Sequence, residues 1–260
     1  MPTIRLLAGT VALVAGVWGA AASAAELKVL SAFLMRAAVE ELAPAFESAS
    51  GHKLKIDYAT AGDIEKKVAA GDEIDVVLLT KPRVDKLVRE AKIVGGSTKP
   101  LARAEIGLAV KKGAPKPDIS SVEAFKKALL NAKSVAYADP ATGAPSGQIL
   151  SQAIEKLGIA AELKPKTRLI AAMGAQGVQV GEAVERGEAE IGILQINLLT
   201  GVPGIDVVGP LPAELQSPEL AYVAGSPYVS EQPIAAMQLI DFLAGPKATA
   251  AYKAKGLQPG

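Results

Sequence analysis

The 260-residue chain contains no cysteine and a single histidine, His52. Without cysteine there are no disulfides, no thiolate metal sites and no thiol catalysis. One imidazole excludes a metal or catalytic site built on several histidines. Neither sign of charge is in excess, with 28 Lys and Arg against 27 Asp and Glu. There is no basic surplus to hold nucleic acid and no acidic tail. The Gly-x-Ser-x-Gly turn of a serine hydrolase is missing. So is the Gly-x4-Gly-Lys-Ser/Thr loop that cradles nucleotide phosphates.

Half of the residues are apolar, which is ample for one large domain or two small ones. The opening "MPTIRLLAGTVALVAGVWGAAASAAE" carries Arg5, then an apolar stretch, then Ala22-Ser23-Ala24. That order is the pattern of a secretory signal peptide over residues 1–24. Its apolar core is short and rich in small residues for a membrane span of about 20 residues. No second apolar run of that length follows. Cleavage after Ala24 leaves 27 charges of each sign. The expectation is an exported, soluble, periplasmic protein.

Strand-like and helix-like segments alternate along the rest. "ELKVLSAF" precedes a helical pattern over Met35, Val39, Leu42 and Phe46, in which Pro44 predicts a kink or a restart. "HKLKIDYA" alternates Leu54, Ile56 and Tyr58 with Lys53, Lys55 and Asp57, as a half-buried strand does. "IDVVLLT" is a continuous apolar run suited to a fully buried parallel strand. Ser120 and Glu123 form a capping-box pattern before "VEAFKKALLN". "SVAYA" leads through "DPATGAPSGQ" into a helix from about Ser146 to Leu157, and "QVGEAVERGEAE" leads into the strand "IGILQ". Two helices, around "PIAAMQLIDFLAG" and "KATAAYKAKG", close the chain. The alternation predicts α/β layers around mainly parallel sheets.

Several of these blocks resemble the periplasmic solute-binding proteins of ABC importers, in the molybdate-binding subgroup. They are "KVLSAFLMRAAVEELAPAFESASGHKLKIDYATAG", "VAAGDEIDVVLL", "VAYADPATGAPSGQILSQAIEKLGI", "AVERGEAEIGIL" and "FLAGPKATAAYKAKG". Their number and order carry the resemblance more than any one motif. It implies a two-lobed type II periplasmic binding fold with a ligand cleft between the lobes. The crossings are expected near Arg103–Leu108 and Ala213–Val223. Lobe one is then 25–103 with 214–260, and lobe two 104–213.

Such a cleft holds a dehydrated anion with backbone N–H groups at helix N-termini and with neutral hydroxyls. Candidate contacts follow strands and open helices. Where molybdate binders carry a ligand-contacting Ser, this chain has Leu34, which reads as a packed cleft wall; Ser31 is the nearest hydroxyl. In "ATAGD" the family's contact aligns with Ala61, and Thr60 reads equally as a helix cap or as a ligand contact. Asp63 suits the helix start but repels a nearby anion. In "DPATGAPSGQ", Ser146 aligns with a backbone contact, Gly147 adds a second N–H and Thr142 a hydroxyl. In "AAMGAQGVQ", Gly177 aligns with another backbone contact. Gln195 replaces a ligand-contacting Tyr, and with Asn197 it either donates to the ligand or simply ends a strand. Arg36 would suit a carboxylate by bidentate pairing, although a solvated first-turn side chain is the commoner situation.

The resemblance thus implies capture of a small anion, of the molybdate or tungstate kind, for an ABC permease in the inner membrane. The altered side chains leave another oxyanion or a small organic acid open. No cofactor, resident metal ion or nucleic acid is expected, and the chain is expected to be a monomer without catalytic activity. A sensory module on the same fold and an exported hydrolase are the competing readings.

Overall fold

The computed structural model describes residues 24–142, 144–171 and 179–260. The expected signal peptide and Gly177 lie outside the described residues, apart from Ala24 at the peptide's end. Eleven strands and ten α-helices alternate through the described parts. The strands are β1 (Glu26–Ala32), β2 (Lys53–Ala59), β3 (Val76–Thr80), β4 (Lys99–Arg103), β5 (Ile106–Lys111), β6 (Val135–Ala138), β7 (Thr167–Ile170), β8 (Ile191–Gln195), β9 (Ile205–Pro210), β10 (Ala221–Gly225) and β11 (Gln258–Pro259). The helices are α1 (Arg36–Ser50), α2 (Ala61–Ala70), α3 (Lys81–Arg89), α4 (Val122–Asn131), α5 (Pro145–Lys156), α6 (Ala160–Leu163), α7 (Gln179–Glu185), α8 (Ile196–Leu199), α9 (Pro233–Leu243) and α10 (Pro246–Ala254).

Local chemistry explains most of these elements. All five residues of β3 and all four of β6 are buried, as continuous apolar strands between helical layers must be. Helix α1 buries Ala38, Val39, Leu42 and Phe46 on one face and stops at Gly51, whose left-handed φ of 77° favours a residue without Cβ. The helix runs without interruption through Pro44, so it does not restart there. Pro44 lies on the exposed face, where water can serve the Glu40 carbonyl that loses its N–H partner. Helix α4 is capped by Ser121, whose hydroxyl accepts from the Ala124 N–H, and not by Ser120. The Ser120 N–H is instead turned onto the Asp118 carboxylate at 2.9 Å.

The strands form two sheets. One has six strands in the order β11-β4-β10-β3-β1-β2, the other five in the order β7-β6-β8-β5-β9. The sheets are mixed, which corrects the expectation of mainly parallel ones. Strands β1, β2 and β3 run together, as do β6, β7 and β8. Strand β10 runs against β3 and β4, and β5 runs against β8 and β9. The reason is geometric. Strands β5 and β10 are the first to follow each passage between sheets. Ile106 starts opposite Gln195 at the end of β8, and Tyr222 opposite Thr80 at the end of β3. A strand that enters a sheet at its neighbours' C-terminal edge has to run against them.

The two passages are tied to each other. The Ala104 N–H donates to the Leu220 carbonyl at 3.0 Å. The Gln216 amide accepts from the Ile106 N–H at 2.9 Å, and donates to the Ile106 carbonyl at 2.8 Å and the Leu211 carbonyl at 3.0 Å. Ile106 is fully buried, so its backbone has no water to fall back on. Replacing Gln216 by Met keeps the volume and removes the bonds. Stability should fall by about 1–3 kcal/mol, read as a lower urea midpoint; an unchanged midpoint would show that the link contributes nothing.

Candidate ligand-binding site

The C-terminal ends of the parallel strands in both sheets meet across one cleft of about 300 Å³. Ala32, Ala59, Ala138, Ile170 and Gln195 end β1, β2, β6, β7 and β8, and all five line it. The first turns of α2, α3 and α5 open onto the same space through Ala61, Arg83 and Ser146. Helix N-termini leave N–H groups without intrahelical partners and carry positive potential. The strand and helix order therefore delivers three such ends to one place.

Of the nine candidate residues, Leu34, Thr60, Ala61, Thr142, Ser146 and Gln195 line the cleft. Leu34 sits in the short 3-10 turn after β1 and forms part of the wall. Thr60 caps α2: its hydroxyl accepts from the Asp63 N–H at 3.2 Å and donates to the Asp63 carboxylate at 2.7 Å. Its proton is thereby committed. The Thr142 hydroxyl is committed too, donating to the Asp139 carbonyl at 2.7 Å. Ser146 is 4% exposed, and its hydroxyl makes no hydrogen bond among the described residues.

Two candidates lie behind the wall. Ser31 is fully buried in β1, and its hydroxyl donates to the Ala32 carbonyl at 3.2 Å. Gly147 packs against the end of β6, and a Cβ there would fall 2.2 Å from the Ala138 carbonyl oxygen. Only glycine lets the start of α5 come this close, so Gly147 sets the position of the loop. Asn197 does not line the cleft: its amide donates to the Leu34 carbonyl at 3.5 Å. Arg36 is not in the cleft either. It pairs with Glu40 at 2.9 Å and lies over the Tyr58 ring, 4.7 Å from the centroid.

Sequence reasoning missed Arg83 and Tyr222. Arg83 is the one fully charged side chain among the described residues that line the cleft. It stands at a strand-to-helix junction, "LLTKPRV", the same signal that located the other loops. Its guanidinium pairs with Glu65, which also accepts from Lys86 at 2.6 Å. Two cations thus share one carboxylate, and Lys86 also lies 3.9 Å from the Glu90 carboxylate, so the charges of the four groups balance. The Lys86 hydrogen bond, followed by that of Arg83, holds the Glu65 carboxyl below the usual carboxylate range. Tyr222 enters from β10, and burial raises its phenol well above the ordinary value, so it stays neutral. Nothing in the pattern of "ELAYVAG" marks it, because its place depends on the passage from the other sheet.

The geometry is that of a two-lobed type II periplasmic binding protein, with a cleft at converging strand ends and two tied passages. The chain belongs to the bacterial extracellular solute-binding protein family, whose model matches residues 27–258. It is 37% identical to an aconitate isomerase from a Pseudomonas species, covering 100% of this chain and 97% of the relative. It is 31% identical to the molybdate-binding protein of Azotobacter vinelandii, covering 95% of each. A solved structure of the A. vinelandii periplasmic molybdate-binding protein superposes with a TM-score of 0.69 at 21% identity, covering 90% of this chain and 99% of that one. No helix among the described residues is long and apolar enough to cross a membrane.

Two outcomes follow from these contacts. Gly147→Ala forces the start of α5 off β6 and should cost about 1–3 kcal/mol, seen as a lower unfolding midpoint; wild-type stability would mean the loop can shift freely. The depressed Glu65 carboxyl contributes stability that is present above its unfolded value near 4.5 and is lost as pH falls through its lower folded value. Glu65→Gln should therefore flatten the acid side of the stability curve relative to wild type, in urea titrations from neutral pH downward.

Proposed function

We propose that the chain is an exported binding protein that captures a small organic polycarboxylate in its cleft. Lobe one is 25–103 with 214–260 and lobe two is 104–213. The lobes close on the ligand by hinge motion at the two tied passages. In this reading the protein works as a monomer in the periplasm and delivers its ligand to an ABC permease.

The observation that carries the ligand class is Arg83. A guanidinium with a planar fork of donors suits a carboxylate by paired hydrogen bonds. The positions where molybdate binders use hydroxyls hold Leu34 and Ala61, and the Thr60 and Thr142 hydroxyls are turned onto the protein itself. The aconitate isomerase relative supports a polycarboxylate, being named for one. The molybdate-binding relative supports the other reading, a tetrahedral oxyanion held by backbone N–H groups at α2 and α5.

The same relative raises catalysis as a second reading. Isomerising aconitate by a proton shift needs a base beside the substrate carbon. Among the described residues lining the cleft there is no Asp, Glu, His or Lys, and residues 172–178 spell Ala-Met-Gly-Ala-Gln-Gly-Val. The one other ionisable group lining it, the Tyr222 phenol, is held protonated. This favours binding without turnover.

Ligand-induced thermal stabilisation tests the proposal. Aconitate and related di- and tricarboxylates should raise the melting temperature. Arg83→Gln should weaken them about 10- to 100-fold, as expected for a lost charged hydrogen bond. A shift with molybdate or tungstate and none with carboxylates overturns the ligand class. Interconversion of cis- and trans-aconitate by the purified protein, followed by proton NMR, would overturn the purely binding role.

A further inference from the structure

We propose that Gln195 selects, within the carboxylate class, a ligand that brings a hydrogen-bond donor of its own: a hydroxyl, or a carboxyl that keeps its proton. This inference rests on the carboxylate reading above.

Gln195 lines the cleft and is only 5% exposed. Its amide oxygen has no hydrogen-bond partner among the described residues. A primary amide carries two donors on nitrogen and an acceptor on oxygen, and it presents both kinds whichever way it is turned. A buried acceptor left without a donor is unfavourable, and native structures rarely leave one without a purpose.

The residue cannot easily withdraw. Gln195 is the last residue of β8, paired with Ile106 of β5, and the next backbone N–H, of Ile196, donates to the Glu105 carbonyl at 2.9 Å. Its neighbours along the cleft wall, Leu194 and Leu198, offer no donor. The Thr60 and Thr142 hydroxyls already give their protons to Asp63 and to the Asp139 carbonyl. The nearby Asn197 also has a buried amide oxygen without a partner among the described residues, but it does not line the cleft. Its amide nitrogen is engaged with Leu34, away from the cleft lining.

A fully ionised carboxylate, or any fully deprotonated oxyanion, offers acceptors only. It can take the Gln195 NH2 group but leaves the amide oxygen orphaned. A hydroxyl or a protonated carboxyl satisfies both ends of the amide at once. Arg83 would then hold an ionised carboxylate, while Gln195 reads the donor carried elsewhere on the same ligand. A site built to pair with a substrate hydroxyl rejects the analogue that lacks it far more strongly than an apolar pocket rejects a methylene.

The test uses matched acids that differ by one hydroxyl, succinate against malate and tricarballylate against citrate, titrated calorimetrically into wild type and Gln195→Met. Met keeps the length of the side chain and removes both hydrogen-bonding ends. Wild type should prefer the hydroxylated member by about tenfold or more. Alternatively it should bind the plain acid increasingly well as pH falls toward the carboxylate range. In Gln195→Met either preference should collapse to near unity. Gln195→Glu, which offers acceptors only, should weaken every ionised ligand while keeping the preference for a donor. Equal affinities within each pair at every pH, or a preference unchanged by Gln195→Met, overturns the role of Gln195 and leaves the carboxylate reading standing. No binding of any of the four acids overturns both. Thermal unfolding of each variant separates loss of selectivity from loss of fold.

Discussion

The structure depends on one constraint: the two sheets are joined at the edge where their parallel strands end. Both passages between the sheets leave one sheet and enter the other there. The reversed strands β5 and β10 are its direct product. So is the contact between passages, in which one glutamine side chain serves both ends of the buried Ile106 peptide groups. The edge also carries the helix starts. A chain that satisfies the constraint has already brought unpaired N–H groups from both halves to a common gap, before any particular side chain is chosen.

That division between backbone and side chain organises the site. Main-chain donors at α2 and α5 supply positive potential without a full charge, at a cost met by the helices themselves. Side chains of several kinds share the cleft with them. Arg83 adds a guanidinium whose charge is moderated by Glu65, a carboxylate that it shares with Lys86. Tyr222 and Ser146 add neutral hydroxyls, and Gln195 adds an amide whose oxygen has no partner among the described residues. The hydroxyls that look most promising in isolation, those of Thr60 and Thr142, hold their own loops in shape.

Much of this was legible in the sequence. Continuous apolar runs identify β3, β6 and β8, because a strand covered on both faces has no other option. The strand-loop-helix junctions locate most of the cleft for the same reason. Strand β4 was not seen: "KPLAR" has Pro100 and a charge at each end, and what makes it a strand is its pairing with β10 and β11 from far along the chain. The direction of β5 and β10 was equally invisible, since direction belongs to the passage and not to the residues. Ser121 was mistaken for its neighbour because two serines in a row present the same pattern one position apart. Tyr222 depends on the return of the chain from the other half, and the steric demand at Gly147 shows only in its closeness to Ala138.

The closeness of Gly147 to Ala138 also bears on how proteins of this design diversify. The contact anchors a main-chain loop, and a main-chain loop keeps its place whatever side chains surround it. Leu34 and Ala61, by contrast, are only partly buried on the cleft wall. Replacements at such wall positions change what the cleft presents, while the start of α5 stays fixed by its packing against β6.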